Sequence, residues 1–133
     1  MRPALALLAL AMALGTAGCP EDPLPETIQL YTITVAPPGR TATLVSNELE
    51  HRVDMSRGVA LAIGCWDTCK GSCVSPTFEV TDPAITDIRP VFRASGGYPT
   101  WVLVAKSAGM TQIRVATACA EQVYGLTVAD DQP

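Results

Sequence analysis

The chain is poor in the residues with which proteins grip phosphate or run acid–base chemistry. Nine Lys and Arg stand against 13 Asp and Glu, a formal net charge of −4. Without a basic excess there is no electrostatic footprint for a phosphate backbone, which excludes nucleic acid as a partner. The acidity serves solubility. His51 is the sole histidine, so a His-Glu-x-x-His zinc helix is ruled out, and phosphate-cradling glycine loops and dinucleotide fingerprints are missing too. His51 lies near Asp54 and Ser56, but no Gly-x-Ser-x-Gly elbow surrounds Ser56, so the histidine reads as a solvated loop residue rather than part of a Ser-His-Asp set. Carboxylates are scattered through turns and give no paired acid and nucleophile for glycoside hydrolysis. Aromatics are only 5% of the chain. The residues point to no catalysis, no cofactor and no metal.

What the chain does have comes first at its N-terminus. Arg2 precedes an apolar stretch over residues 4–14, and Gly15-Thr16-Ala17-Gly18 follows as a run of small residues ending on Cys19. This is the order of a secretory signal peptide. The stretch is shorter than the roughly 20 apolar residues of a membrane-spanning helix, and no later segment approaches that length. Thr16-Ala17-Gly18-Cys19 resembles the lipobox of bacterial lipoproteins, with Thr16 where that family usually has Leu. The resemblance implies cleavage before Cys19, acylation of its thiol and an anchor in the membrane. In that family Asp after the cysteine retains a protein in the inner membrane; Pro20 stands here, so the outer membrane is expected. Ordinary cleavage near Gly18, giving a secreted or periplasmic protein, is the alternative. Cysteine parity favours lipidation, because five cysteines leave one unpaired in an oxidising compartment and acylated Cys19 leaves four.

Three regions follow: a signal over residues 1–18, a tether over 19–26, and one domain over 27–133. Pro20, Pro23 and Pro25 among Glu21, Asp22 and Glu26 cannot bury themselves and make a semi-rigid spacer of roughly 25 Å at about 3.1 Å per residue. Beyond it the chain is rich in Val, Ile and Thr and punctuated by Gly and Pro, an all-β pattern. Strands are expected over 28–35 and 41–45. Val59, Leu61, Ile63 and Cys65 share one face of the next, with Ala60, Ala62 and Gly64 on the other. Further strands are expected over 77–81, weakly over 91–94, then over 100–106, a strand with Ile113, Val115, Thr117 and Cys119 on one face, and one over 123–128. Residues 46–57 read as a polar connection, Gly96-Gly97-Tyr98-Pro99 as a turn, and Trp101 as packing. About seven short strands in roughly 100 residues predict a β-sandwich.

The run Phe78-Glu79-Val80-Thr81-Asp82-Pro83-Ala84-Ile85, the run from Trp101 through Ser107-Ala108-Gly109 to Val115, and Tyr124-Gly125-Leu126-Thr127-Val128 resemble the bacterial Ig-like group 2 family over residues 28–129. These are turn and packing motifs without chemistry, and residues 65–73 and 46–57 depart from the family. The resemblance implies an Ig-like β-sandwich in which the strands of Cys65 and Cys119 are the second and sixth. Since both cysteines are in phase with apolar faces, they are natural partners, with Cys69–Cys73 as a small loop bridge. Four cysteines nevertheless allow three pairings. Cys65, Cys69 and Cys73 with Cys119 or His51 could also offer four zinc ligands, but the oxidising compartment favours disulfides.

Trp66 is out of phase with the buried face and opens the cysteine loop beside Asp67 and Lys70. It either presents a recognition surface with those two residues or caps the core against a disulfide, the second being preferred. The expected function is a lipid-anchored envelope module that binds or spaces, its partner an envelope protein or a glycan. The alternative is an inhibitor or soluble-ligand binder that uses the loop over residues 65–73.

Overall fold

Period-two alternation of side chains builds two sheets, one on each side of an apolar interior. The computed structural model describes residues 27–91 and 99–131. The signal, the tether with Cys19, and Gly96, Gly97 and Tyr98 of the expected turn lie outside the described residues. Among those described there are ten strands and no helix, hence no helix long and apolar enough to cross a membrane.

One sheet runs in the order β1 (Ile28–Thr32), β4 (Ala60–Asp67), β8 (Thr100–Ala105), β7 (Thr86–Val91), with the short β5 (Gly71–Ser72) pairing with β4. The other runs β2 (Ala42–Ser46), β3 (His51–Ser56), β10 (Glu121–Ala129), β9 (Gly109–Ala116), β6 (Thr77–Val80). All pairings are antiparallel except β3 with β10. The strands β1, β4, β8 and β7 occupy the A, B, E and D places of an immunoglobulin sandwich, and β6, β9 and β10 the C, F and G places.

The interior confirms the expected phase. Leu61, Ile63 and Cys65 of β4, Ile113 and Val115 of β9, and Tyr124, Leu126 and Val128 of β10 are buried against one another. Each such side chain contributes about 1.5–3 kcal/mol by leaving water. Trp101 packs as expected, its ring 4.9 Å from that of Phe78 on the facing sheet. At the β3–β4 turn Val59 N–H donates to Ser56 O, and Gly58 takes the positive φ of 83° that the reversal needs.

One expectation is corrected here. Residues 51–56 are not a loop but β3, which buries Val53 and Met55 and turns Arg52 and Asp54 outward, where they pair at 2.8 Å. Of the strand expected over 91–94, only Val91 is among the described residues; it ends β7 (Thr86–Val91), a strand that was not expected and that carries Pro90. Proline is tolerated there because β7 is the edge of its sheet and Pro90 has no N–H to contribute to a ladder.

A polar bolt crosses the interior. The hydroxyl of Tyr124 accepts from Leu30 N–H at 3.1 Å and lies 2.6 Å from Ser46 Oγ and 3.3 Å from Ile28 O. It therefore joins β10 in one sheet to β1 in the other. Burial pushes the Tyr124 phenol above its ordinary range, against the opposing effect of its hydrogen bonds to Ser46 and Leu30.

Candidate functional site

The cysteine-rich segment forms one pole of the sandwich. Strand β4 ends at Asp67, and Thr68, Cys69 and Lys70 reverse the chain into β5, which pairs Ser72 with Trp66 and Gly71 with Asp67. Asp67 makes this turn: its Oδ1 accepts from Cys69 N–H at 3.0 Å and Lys70 N–H at 2.6 Å. The chain joins β1 at the same pole, where Thr27 N–H donates to Thr68 Oγ1 and Thr68 N–H donates to Thr27 O.

The disulfide pairing differs from the expected one. Cys65 is bonded to Cys73, with Cα atoms 5.4 Å apart, and Cys69 to Cys119, with Cα atoms 6.1 Å apart. Cys119 misses the interior because β9 ends at Ala116. Thr117 then starts a tight turn, its Oγ1 accepting from Cys119 N–H and Ala120 N–H and its own N–H donating to Ala120 O. Cys119 is thereby carried out of strand phase, toward Cys69. Cys65 keeps its expected inward direction but meets Cys73, whose N–H donates to Cys65 O. The zinc set drawn from these cysteines is not assembled, since all four sulfurs are in disulfides.

Trp66 and Lys70 are exposed, while Asp67 is 1% exposed and turned inward. Of the expected surface of Trp66, Asp67 and Lys70, the Asp67 part is thus corrected: Asp67 faces inward and its Oδ1 shapes the turn. Trp66 does not cap the core. It is 43% exposed on the outer face of β4, between the inward Cys65 and Asp67. Its neighbours there are Tyr31 at 42% exposure and Gln29, which with Gly71 and Ser72 line a shallow depression of about 610 Å³. Tyr31 lies across from Gly64, where a Cβ would overlap the tyrosine ring. Gly64 is therefore what allows Tyr31 to lie flat on the sheet.

Tyr31 and Gln29 were not expected at this surface. The signal was the alternation of β1, which places both on the face opposite Ile28 and Leu30. A second cleft of about 590 Å³ opens beside the start of β1, lined by Gln29, Asn47, Glu48, His51, Thr68 and Gln122. His51 is not a solvated loop residue: it begins β3, partly buried, with its ring edge-on to Tyr124 at 5.2 Å. Ser56 stands at the other end of β3, buried, bonded to Asp131 Oδ1 at 2.6 Å and accepting from Thr41 N–H at 2.7 Å. His51, Asp54 and Ser56 are not brought together as a catalytic set.

No family model matches the chain, and no curated protein does. Among solved structures, the S-layer protein SbsC domains 4 and 5 is similar at a TM-score of 0.41 and 12% identity, over 68% of this chain and 46% of that one. The chain thus spans less than half the length of that structure.

Proposed function

We propose that this is a lipid-anchored module of the bacterial cell envelope, of the bacterial Ig-like kind, which acts by binding or spacing and without catalysis. The observation that carries the reading is cysteine parity. Of five cysteines, four are consumed in two intradomain disulfides, leaving Cys19, the residue at the lipobox-like position, without a partner in its own chain. An exported thiol with no partner is a liability unless it is modified, and multiple acylation would hold the domain stably where a single chain would not.

The anchor would set the orientation. A tether over residues 19–26 delivers the chain to Thr27, which is bonded to Thr68 of the cysteine loop. The disulfide pole then faces the membrane within roughly 25 Å, and the opposite pole, with the Arg57-Gly58 turn and the end of β10, points away. Pro20 after the cysteine supports the outer membrane over the inner. An envelope protein or a glycan is the expected partner.

Metabolic labelling with a fatty-acid analogue tests this. Label on the wild-type chain, and loss of both label and membrane association in Cys19→Ser, are expected. An unlabelled chain, or a Cys19→Ser form that stays on membranes, contradicts it. A soluble-ligand binder or inhibitor is the second reading, favoured by the exposed rings of Trp66 and Tyr31, which line one depression beside the disulfide-bonded loop, since such rings are good contact groups. Any ligand retained at full affinity by Trp66→Ala would remove that reading.

A further inference from the structure

Asp67 has one oxygen too many for its structural task. Oδ1 accepts both N–H groups of the turn, but Oδ2 is buried without a hydrogen-bond partner, alone in this among the buried side-chain oxygen and nitrogen atoms of the described residues. A buried polar atom left without a partner costs about 1–3 kcal/mol and calls for a physical reason, such as a redox role or an ion. Beside it is a bridge: a carboxylate oxygen of Asp67 and the sulfurs of Cys69 and Cys119 all lie within 4.8 Å of one another.

The two disulfides differ in access. Cys65 and Cys73 are both buried, whereas Cys69 is exposed and Cys119 partly so. Thiol–disulfide exchange requires a thiolate to reach a sulfur, so an external dithiol meets the Cys69–Cys119 bridge first. While bonded to each other the two sulfurs give Asp67 neither a proton nor a ligand partner. Once reduced they give both.

We propose that Asp67, Cys69 and Cys119 form a redox-gated metal site, closed in the oxidised protein and able to hold one zinc ion when that bridge is reduced. In the opening step one thiolate of a dithiol reductant attacks Cys69 Sγ, and Cys119 leaves as thiolate. The reductant's second thiolate then displaces Cys69 Sγ from the mixed disulfide. The reductant ends as a disulfide, and the protein has gained two electrons and two protons. Zinc displaces the two thiol protons to solvent and takes two sulfurs and one carboxylate oxygen, with the fourth position left to water. Two thiolates and a carboxylate suit this borderline-soft ion, and breaking the bridge frees the two sulfurs to part to the about 3.7 Å that a tetrahedral centre with bonds of about 2.3 Å needs. Asp67 is pre-placed as the third ligand because Oδ1 already fixes its carboxylate.

Cobalt and zinc titrations of the full chain carrying Cys19→Ser, so that only the four domain thiols report, test this site. With a phosphine reductant present, one equivalent of Co²⁺ should produce a thiolate-to-cobalt absorption band that Zn²⁺ removes, and oxidised protein should produce none. Asn at position 67 retains an Oδ1 acceptor for the turn, so Asp67→Asn should fold yet bind at least tenfold more weakly. Zinc should also shield Cys69 and Cys119, but not Cys65 and Cys73, from alkylation in the reduced chain. Absence of the band, undiminished binding by a folded Asp67→Asn, or shielding that falls on Cys65 and Cys73 would overturn the site.

Discussion

Cys69 and Cys119, fifty residues apart in sequence, are bonded to each other and join the loop that ends β4 in one sheet to the turn between β9 and β10 in the other. The bond holds the two layers together at the pole where the chain joins its first strand, outside the apolar interior. Cys65–Cys73 spans eight residues and ties the loop back onto β4.

The bridges should differ in their effect on stability. Loop-closure entropy assigns about 4 kcal/mol to the longer and about 2.5 kcal/mol to the shorter. Cys69→Ala with Cys119→Ala should therefore lower the unfolding free energy in urea more than Cys65→Ala with Cys73→Ala, allowing the latter a further loss of about 1 kcal/mol for its emptied volume. A smaller loss for the 69/119 pair would contradict this ordering.

Tyr124→Phe should destabilise the domain by about 2 kcal/mol, because Leu30 N–H is left buried without its acceptor. The same hydroxyl sets an alkaline limit. Its folded pKa is raised above the ordinary 10.0, so the unfolded chain loses this proton first. Stability from this group is full below pH 10 and is lost as pH rises through the folded value. Urea midpoints measured from pH 8 upward should fall above about pH 10 in the wild type, with this component absent in Tyr124→Phe.

At the C-terminal edge the sign reverses. Ser56 Oγ donating to Asp131, with Arg40 Nη1 at 2.6 Å, holds that carboxyl below its usual 3.8. The stabilisation is present above the unfolded value and is lost as pH falls through the folded one. Carboxyl titration by NMR should give Asp131 a midpoint under 3.8, moved upward by Ser56→Ala. An unmoved midpoint would show that the hydroxyl does not set it.

Gly64→Ala should leave the fold standing while lifting the Tyr31 ring, which is half exposed and free to rotate outward. The environment of Trp66 across the same depression should change with it. Altered tryptophan emission with an unchanged far-ultraviolet circular dichroism spectrum is expected; unaltered emission would mean that Tyr31 and Trp66 do not share that surface.

Much of the sandwich was readable because burial on one face leaves a period-two imprint. β4 and β10 announce themselves through Leu61, Ile63 and Cys65 and through Tyr124, Leu126 and Val128. β3 did not, because His51, Arg52, Asp54 and Ser56 mask the pair Val53 and Met55, and a central strand with polar flanks resembles a loop in composition. β7 was not expected over Thr86–Val91: Pro90 removes a ladder donor, which an edge position tolerates. The cysteine pairing was lost to three residues of strand length: phase carries Cys119 inward only if β9 continues past Ala116, and the Thr117 turn stops it. Asp67 next to an exposed Trp66 looked like surface, although alternation puts it on the inward face with Cys65. The likeness to immunoglobulin strand order survives all of these local errors, since it depends on which strands pair and not on where each one ends.

Disulfide mapping of the unreduced protein tests the arrangement at this pole most directly. Cleavage after Arg and Lys and before Asp separates all four cysteines, since Lys70 and Asp67 fall between them. Mass spectrometry should find the Cys65 peptide joined to the Cys73 peptide and the Cys69 peptide joined to the Cys119 peptide. A Cys65–Cys119 linkage with Cys69 bonded to Cys73 would contradict the account.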